Sequence, residues 1–575
     1  MKNKKLINDC LKVMAGSMQN RTLDKCSRYA VARRVMSVDE QGNPEFYSLD
    51  DYPYVEEILN SDAKYNWVMK CAQIGLSEAA ITIAWFQVDY HRKSALYYFP
   101  TKVMADEFSK TRFNPSIDLS PHLKRVVTSK DLGVKMIGNH SLYIKGVNSE
   151  ASLRGTSAGR LFFDELDAWT DRQVNMAVER ASGQKDGDKK IWGFSTPRIP
   201  DRGVHKYFKR STQEHYFFDC PHCGEEIELL WDQNVVVHGE YPDDPEVHKT
   251  YVKCHLCENK LDHKTKRDWL RSKTRGGTGH WKAMNPDADP KTSRGFWINQ
   301  LYSPTVEPWE IAMTWLRGQN GDEAARTEFH NSKMGEPYID NAHQVNDGQI
   351  DDAIARGGKY STNDITLPVR QEEGVVTLGI DQGGHVHHWA AVAWKFEADK
   401  VGDPNDRAVG KVIGFGQILQ DDWDSIHGLM RTYRVWRSVI DYFPEPTNAR
   451  IFARKFKEAV YLCQYVKGAA AREVRITEDD YGAHLVRVDR TSWISKALGR
   501  IMEGTLSLPL NTTHDLRRQL KSPVRTLKEK EGQYVAEWVE TTDDHYAHAL
   551  TYAEIALKIL DPSLNSSSIL TTQRQ

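Results

Sequence analysis

Leu161-Phe162-Phe163-Asp164-Glu165 reads as a buried strand that ends in two acids. Three large apolar residues in a row suit a strand covered on both faces. Carboxylates at its end stand where open parallel sheets present groups to a ligand. Upstream, Tyr65–Lys70 (YNWVMK) makes another strand, Cys71–Glu78 (CAQIGLSE) a loop, and the run AAITIAWFQVDYH a helix. Ala95–Phe99, Ser141–Gly146 and Lys190–Ser195 read as further strands, with a helical stretch over Lys102–Phe113. Strands alternating with helices predict an α/β domain on a mainly parallel sheet, with Gly75, Asp164 and Ser195 all beyond the carboxyl ends of its strands.

The chain has 575 residues, too many for one core, so two large domains and a small insertion are expected. Lys plus Arg (77) nearly balances Asp plus Glu (79), so no global field announces a nucleic-acid partner, although a local basic surface would suffice. Mean hydropathy is −0.61, and no apolar run approaches the ~18 residues of a membrane span. The basic start, MKNKKLINDCLKVMAG, lacks a long apolar core, so no signal peptide is expected. Of eight cysteines, four fall in two CxxC pairs, a pattern of metal binding in a reducing compartment. The expectation is a soluble, cytoplasmic protein without membrane partners. Boundaries are expected as a helical polar arm (1–60), a nucleotide-binding domain (61–215), a cysteine insertion (216–262), a connecting region or lid (263–365), a second catalytic domain (366–561) and a disordered tail (562–575).

Three constellations carry chemistry. Lys70-Cys71-Ala72-Gln73-Ile74-Gly75-Leu76-Ser77 follows a strand and opens a helix, as a phosphate cradle does, and Ser77 stands where a hydroxyl ligates Mg²⁺. Leu76 replaces the usual lysine of that pattern, and Lys70 stands at the loop's front instead; an ordinary strand-to-helix turn remains the alternative. Asp164 can hold the nucleotide's Mg²⁺ and Glu165 polarise the attacking water, with Ser195-Thr196 after the next strand placed to sense the phosphate. Cys220-Pro221-His222-Cys223 and Cys254-His255-Leu256-Cys257 make a closed four-thiolate site, the structural kind of zinc site, with His222 and His255 facing solvent. Asp381 ends the apolar run Val376–Ile380 at the head of a predicted meander, Asp441 ends Trp436–Ile440, and Asp543-Asp544 opens a helix near the chain's end. Each acid singly reads as a cap or surface charge. The order strand acid, strand acid, helix acid is that of RNase H-like nucleases, which converge carboxylates on two divalent metals. Asp543 is taken as the helix N-cap and Asp544 as the ligand, and His385, His387 and His388 read as exposed loop histidines. Arg454–Lys457 and Arg517-Arg518 read as solvated faces with DNA phosphate contact as the alternative, and Trp297 and Trp309 as core.

Together KCAQIGLSE, LRGTSAGRLFFDELDAW, GFSTPR, the paired CxxC motifs, TLGID and DDHYAHALTYA resemble the large subunit of tailed-bacteriophage terminases, in its lambda-like branch, in the family's order and over residues 65–555. The resemblance implies a P-loop ATPase, a zinc-ribbon-like insertion and an RNase H-like nuclease on one chain. It implies ATP, Mg²⁺ (or Mn²⁺) and Zn²⁺ as cofactors. Lys70, Gln73, Gly75, Leu76, Ser77, Asp164, Ser195 and Thr196 would contact the nucleotide; Glu165 would be catalytic; Asp381, Asp441 and Asp544 would hold the nuclease metals. A displaced lysine at the loop's front is itself a family habit, whereas Glu78 stands where some relatives are basic. Arg154 would reach a neighbouring subunit's nucleotide, with a structural or DNA-binding arginine as the alternative. The implied work is packaging double-stranded viral DNA into a procapsid and cutting concatemers in the host cytoplasm, as a ring that meets a small terminase subunit and a portal. The competing expectations are a helicase-nuclease, which would carry a second motor domain, and a zinc-stabilised scaffold with dead sites.

Overall fold

The computed structural model describes residues 23–39, 43–148, 153, 155–339, 344–358, 360–366, 374–396, 408–466, 474–530 and 533–560. The chain divides into two compact units, Met1–Tyr338 and Ile339–Gln575. Among the described residues no helix is long and apolar enough to cross a membrane.

The first unit is built on one eleven-stranded sheet. Its principal elements are β1 (Tyr65–Lys70), α1 (Leu76–Trp85), β2 (Ala95–Phe99), β3 (His140–Gly146), β4 (Arg160–Asp164), β5 (Lys190–Ser195), β6 (Glu214–Asp219) and β7 (Ser293–Ile298). These strands lie in the order β6-β7-β1-β5-β4-β2-β3, all parallel, with short antiparallel strands at both edges. β2 and β4 are buried at every residue, which is why they read as unbroken apolar runs. Tyr97, Phe162 and Trp192, from three adjacent strands, stack with ring centroids 5.4 and 4.8 Å apart. Such pairs add about 0.5–1.5 kcal/mol each beyond burial. The expected alternation of strand and helix therefore closes as an α/β sheet. Two expectations change. Residues 263–338 form no connecting region: β7 sits beside β1 in the middle of the sheet, and Trp297 is buried there. Residues 23–60 are no polar arm either. They include a hairpin, Val35–Val38 with Pro44–Phe46, and they bury Tyr29, Tyr54, Val55 and Ile58 in the core around α1. Residues 1–22 lie outside the described chain.

The second unit holds an eight-stranded mixed sheet. β8 (Val375–Asp381), β9 (Val386–Phe396) and β10 (Ala408–Leu419) form the predicted antiparallel meander. β11 (Arg437–Asp441) pairs with β8 in parallel, followed by β12 (Val460–Tyr465) and β13 (His484–Val488). Over them lie α2 (Arg490–Met502) and the almost wholly buried α3 (His545–Ile559). α3 sits directly on β8: a Cβ at Gly379 would stand 1.9 Å from Ala549 O, and Thr377 Oγ1 donates to Ala553 O at 2.9 Å. Arg500 of α2 and Glu554 of α3 form a buried pair (2.7 Å), and Arg500 also donates to Ala408 O at 2.8 Å. The unit also begins earlier than the expected residue 366, because helix Asp347–Arg356 buries Ile350 and Ala353 in its core. The expected tail lies outside the described residues.

Candidate functional site

Three adjacent parallel strands, β1, β5 and β4, end side by side, with Met69 opposite Ser195 and Asp164 opposite Phe194. Their carboxyl ends bring together Lys70, Ser195, Asp164 and Glu165. Lys70 is buried, and after it the loop turns through two left-handed residues, Gln73 (φ +54°) and Gly75 (φ +75°), before α1 begins at Leu76. A Cβ at Gly75 would stand 2.9 Å from the Tyr52 ring, so the turn needs glycine for both space and backbone angle. Leu76 is buried and offers a ligand only its amide; Ser77 is half-buried one residue on. The first turn of α1 leaves its amides without intrahelical acceptors, the arrangement that receives phosphate. The loop is braced from behind. Cys71 N donates to Ile298 O (3.1 Å), Ala72 N to Ser332 O (2.8 Å), and Gln300 Nε2 to Ala72 O (3.1 Å).

Asp164 accepts from Tyr97 Oη (2.7 Å) and from the Glu165 amide (3.0 Å). Burial, then the adjacent Glu165 charge, pushes its carboxyl upward; the Lys70 ammonium and these donors pull it back. Glu165 itself adopts φ +49°, a left-handed angle rare for a non-glycine residue, and is half-exposed. Ser195 is buried, and its hydroxyl accepts from Asp167 N at 3.1 Å and donates to Thr196 O at 3.2 Å. Glu78 pairs with Arg34 (2.9 Å) and Arg112 (3.5 Å). Arg154 lies outside the described residues.

In the second unit β8 and β11 run parallel with Ile380 opposite Ile440, so Asp381 and Asp441 leave the sheet at neighbouring positions. Asp544 occupies the N-cap position of α3 by backbone, but its side chain caps nothing and is buried. Asp543, expected to be that cap, is instead exposed and 3.5 Å from Arg518. His545 Nδ1 lies 2.7 Å from Asp381, while Asp544 lies 3.4 Å from His548 and 3.3 Å from Arg490. Burial, then the charge of Asp381, pushes the Asp441 carboxyl up to about 7. Burial would raise Asp544 too, yet the His548 hydrogen bond and the His548 and Arg490 charges hold it below the usual range. Buried Asp544 and half-buried Asp441 are thus driven in opposite directions, as acids at functional sites often are. The trio is not closed: among the described residues the only group of three or more ligand atoms mutually within 4.8 Å is the cysteine set. Acids that repel one another at the ends of two strands are the donors a divalent cation would draw together. His387 and His388 are corrections. Both are buried on β9 rather than exposed in a loop, and His388 stacks on His545 at 4.6 Å with its imidazole pushed down to about 4, chiefly by burial. His385 is exposed.

The cysteines of the first unit sit in two matching turns. In each, the first cysteine's amide bonds the residue five on (Cys220 to Glu225, Cys254 to Asn259), and the residue after the second cysteine is left-handed (Gly224 at +77°, Glu258 at +59°). Sγ–Sγ distances of 3.9 Å (Cys220–Cys257) and 4.0 Å (Cys223–Cys254) are close to the ~3.8 Å edge of four thiolates around one tetrahedral ion at ~2.3 Å. His222 is exposed and His255 half-buried, so neither competes as a ligand.

Several side chains at these centres escaped the sequence reading. Tyr97 and Asp167 lie in segments read only as strand and turn, and Arg490 bears on Asp544 from fifty-four residues away. His545 and His548 stand in the quoted DDHYAHAL run, and Asp544 with His548 at i, i+4 was the available signal.

The family model for the ATPase domain of phage terminase large subunit gpA matches residues 42–281, and that for the endonuclease domain of the same subunit matches residues 293–563. The chain is 24% identical over 339 residues to the terminase large subunit of Escherichia phage lambda, covering 55% of this chain and 51% of that protein. It is 23% identical over 365 residues to that of Enterobacteria phage P21, covering 58% and 55%. The match thus spans about half the length of these relatives. The solved large terminase ATPase domain of Thermus phage P74-26 shares 14% identity, covering 51% of this chain and 94% of that one at a TM-score of 0.29. The large terminase nuclease of thermophilic phage G20c with bound magnesium shares 11%, covering 35% and 96% at 0.19. Scores that low add nothing to the sequence matches. Two models of one subunit, matched one after the other, together cover most of this chain: it belongs to the gpA family of phage terminase large subunits.

Proposed function

We propose that this chain is the motor and nuclease subunit of a viral DNA-packaging machine, hydrolysing ATP to drive double-stranded DNA into a procapsid and cutting concatemers with a metal-dependent endonuclease. The observation that carries the reading is the tandem match of both gpA domain models, ATPase then endonuclease. In the first unit, Lys70, Gln73, Gly75 and the first-turn amides of α1 hold the phosphates, and Ser77 and Asp164 hold Mg²⁺. Glu165, at the end of β4, aligns and deprotonates the attacking water, while Ser195 and Thr196 sense the phosphate end. Arg154 is the candidate arginine offered to a neighbouring subunit in a ring. In the second unit, Asp381, Asp441 and Asp544 hold two Mg²⁺ or Mn²⁺ ions, which supply a nucleophilic water and stabilise the leaving oxygen. His545 orients Asp381, and His548 with Arg490 orients Asp544. Cys220, Cys223, Cys254 and Cys257 hold a structural Zn²⁺. The functional boundaries follow the two compact units, with the cysteine insertion inside the first. The partners are viral DNA, further copies of this chain, a small terminase subunit and the portal, met in the host cytoplasm. The helicase-nuclease alternative loses its support because the second unit is a meander-headed mixed sheet, with no second strand-loop-helix cradle among its described residues.

Purified protein assayed for ATP hydrolysis and plasmid cutting decides the matter. Glu165→Ala is expected to lose hydrolysis and keep cutting; Asp381→Ala is expected to do the reverse. Hydrolysis that survives Glu165→Ala would displace the ATPase assignment.

A further inference from the structure

We infer that Asp167 is a positioning residue that ties the acidic turn of the nucleotide site to the segment Ser195–Gly203 and, through that segment, to the chain's exit from the first unit at Tyr338. The inference rests on the ATPase reading above.

Asp167 stands two residues beyond Glu165, in the short turn Leu166–Ala168. Its main chain and side chain both reach out of that turn. The amide donates to Ser195 Oγ at 3.1 Å. One carboxylate oxygen accepts the Arg198 amide at 3.0 Å, and the other accepts the Val204 amide at 2.9 Å. Between those two donors lies Gly203, at φ +49°, where an added Cβ would fall 2.4 to 2.6 Å from the carboxylate atoms. The glycine therefore exists to let this carboxylate in. One residue, through its amide and its carboxylate, gathers three points of the ten-residue segment Ser195–Val204 onto the turn that carries Glu165. A carboxylate bridging two backbone amides is a charge-assisted link, stronger than neutral bonds of the same length.

The segment is fastened again on its far side. Arg198 O accepts from Tyr338 N at 3.1 Å, and Tyr338 is the last residue of the first unit. The Tyr338 ring lies flat on His330, with centroids 4.4 Å apart and planes 4° apart. His330 belongs to the turn Phe329–Met334, whose Ser332 carbonyl accepts the phosphate-loop amide of Ala72 at 2.8 Å. The route is thus a ring: phosphate loop, Ser332, Tyr338, Arg198, Asp167, Glu165. A shift of the Glu165 turn has to move Arg198 and Val204, or break bonds that Asp167 holds. Hydrolysis itself asks nothing of Asp167, which contacts neither Lys70 nor Ser77. Its place in the fold is that of a link between nucleotide state and the point where the chain leaves for the second unit.

Hydrogen–deuterium exchange on the full chain tests this, with and without ADP or a non-hydrolysable ATP analogue plus Mg²⁺, alongside direct nucleotide titration. In the wild type, nucleotide is expected to slow exchange over 196–205 and 330–338 as well as over 70–78. Asp167→Asn keeps one acceptor and loses the other. It is expected to bind nucleotide within about fivefold of wild type while losing the nucleotide-dependent difference at 196–205 and 330–338. Gly203→Ala, which displaces the carboxylate from the opposite side, should do the same, and it decides the question if Asp167→Asn does not fold. Glu165→Gln should retain the difference. A merely structural Asp167 would raise exchange equally with and without nucleotide and leave the difference intact, which would overturn the inference. So would a wild-type response confined to 70–78 and 160–168. A wild type that binds no nucleotide removes the ATPase reading itself, a distinct outcome that takes the inference with it.

Discussion

At the scale of the residue, the nucleotide site is held by backbone angles that cost free energy. Gly75 and Glu165 both sit in the left-handed region, one where glycine is free to do so and one where a side chain strains it. Gly75→Ala is expected to lower stability by about 1–2 kcal/mol and nucleotide affinity by at least about tenfold, since the methyl meets the Tyr52 ring as well. Urea unfolding and a nucleotide titration check both. Lys266 is a separate liability: it is buried, with Nζ donating to Ser303 O at 3.1 Å. Burial drives its ammonium down to about 7, and Glu307 pulls only partly the other way. The folded value lies below the unfolded one near 10.4, so between about pH 7 and 10 the unfolded chain carries a proton that the folded chain lacks. Stability attributable to this group rises with pH across that window, by on the order of 4 kcal/mol, and at pH 7 and below it is a full penalty. Lys266→Met should flatten that rise and raise the melting temperature at pH 7, measured by calorimetry against the wild type.

At the scale of the element, two contacts decide whether the chemistry assembles. α3 reaches the acids only because Gly379 lets it lie on β8. Gly379→Ala would push Ala549 and Ala553 away, displace Asp544 and His545 with them, and destabilise the unit by about 1–3 kcal/mol. Plasmid cutting should fall at least about tenfold while ATP hydrolysis is retained, a split that both assays on one preparation would expose. The cysteine turns are the second case. Each is short, and the strands beside them bury Ile227, Val252 and Leu261 in the first unit's core. Elemental analysis is expected to find one zinc per chain, lost in Cys254→Ser. Chelation should release the strands around it, seen as new protease sensitivity between Asp219 and Leu261.

At the scale of the whole molecule, the division at Tyr338 is the testable feature. A fragment that starts at residue 366 omits helix Asp347–Arg356, whose Ile350 and Ala353 pack with Leu498, Ile501 and Leu508 in the second unit's core. The fragment 339–575 is expected to unfold cooperatively, and the 366–575 fragment to be less stable by about 3–5 kcal/mol, because two buried side chains lose their partners and leave apolar surface open. Chemical unfolding of the two fragments checks it. A boundary at 366 falls where the strand pattern resumes, which marks an element and says nothing about which core the preceding helix joins.

Sequence by itself determined most of the kinds of element, their order and the acids and loop that stand at their ends. A strand buried on both faces, a loop that opens a helix, a CxxC turn and the triple order of acids are local patterns, legible wherever they stand. It also determined the family, since those motifs keep one order along the chain. Only the tertiary structure decided what each motif touches. β7 lies beside β1 although more than two hundred residues separate them, and it braces the phosphate loop through Ile298 and Gln300. Asp167 is one more acid in an acidic turn until Arg198, Val204 and Gly203 close around it. His388 reads as an exposed loop residue, yet the four-residue connection from Gln382 to His385 returns the chain into the sheet and buries it against His545. Parallel pairing and helix-on-sheet packing join distant residues through backbone bonds and shape, and neither leaves a periodic trace in the segments it joins.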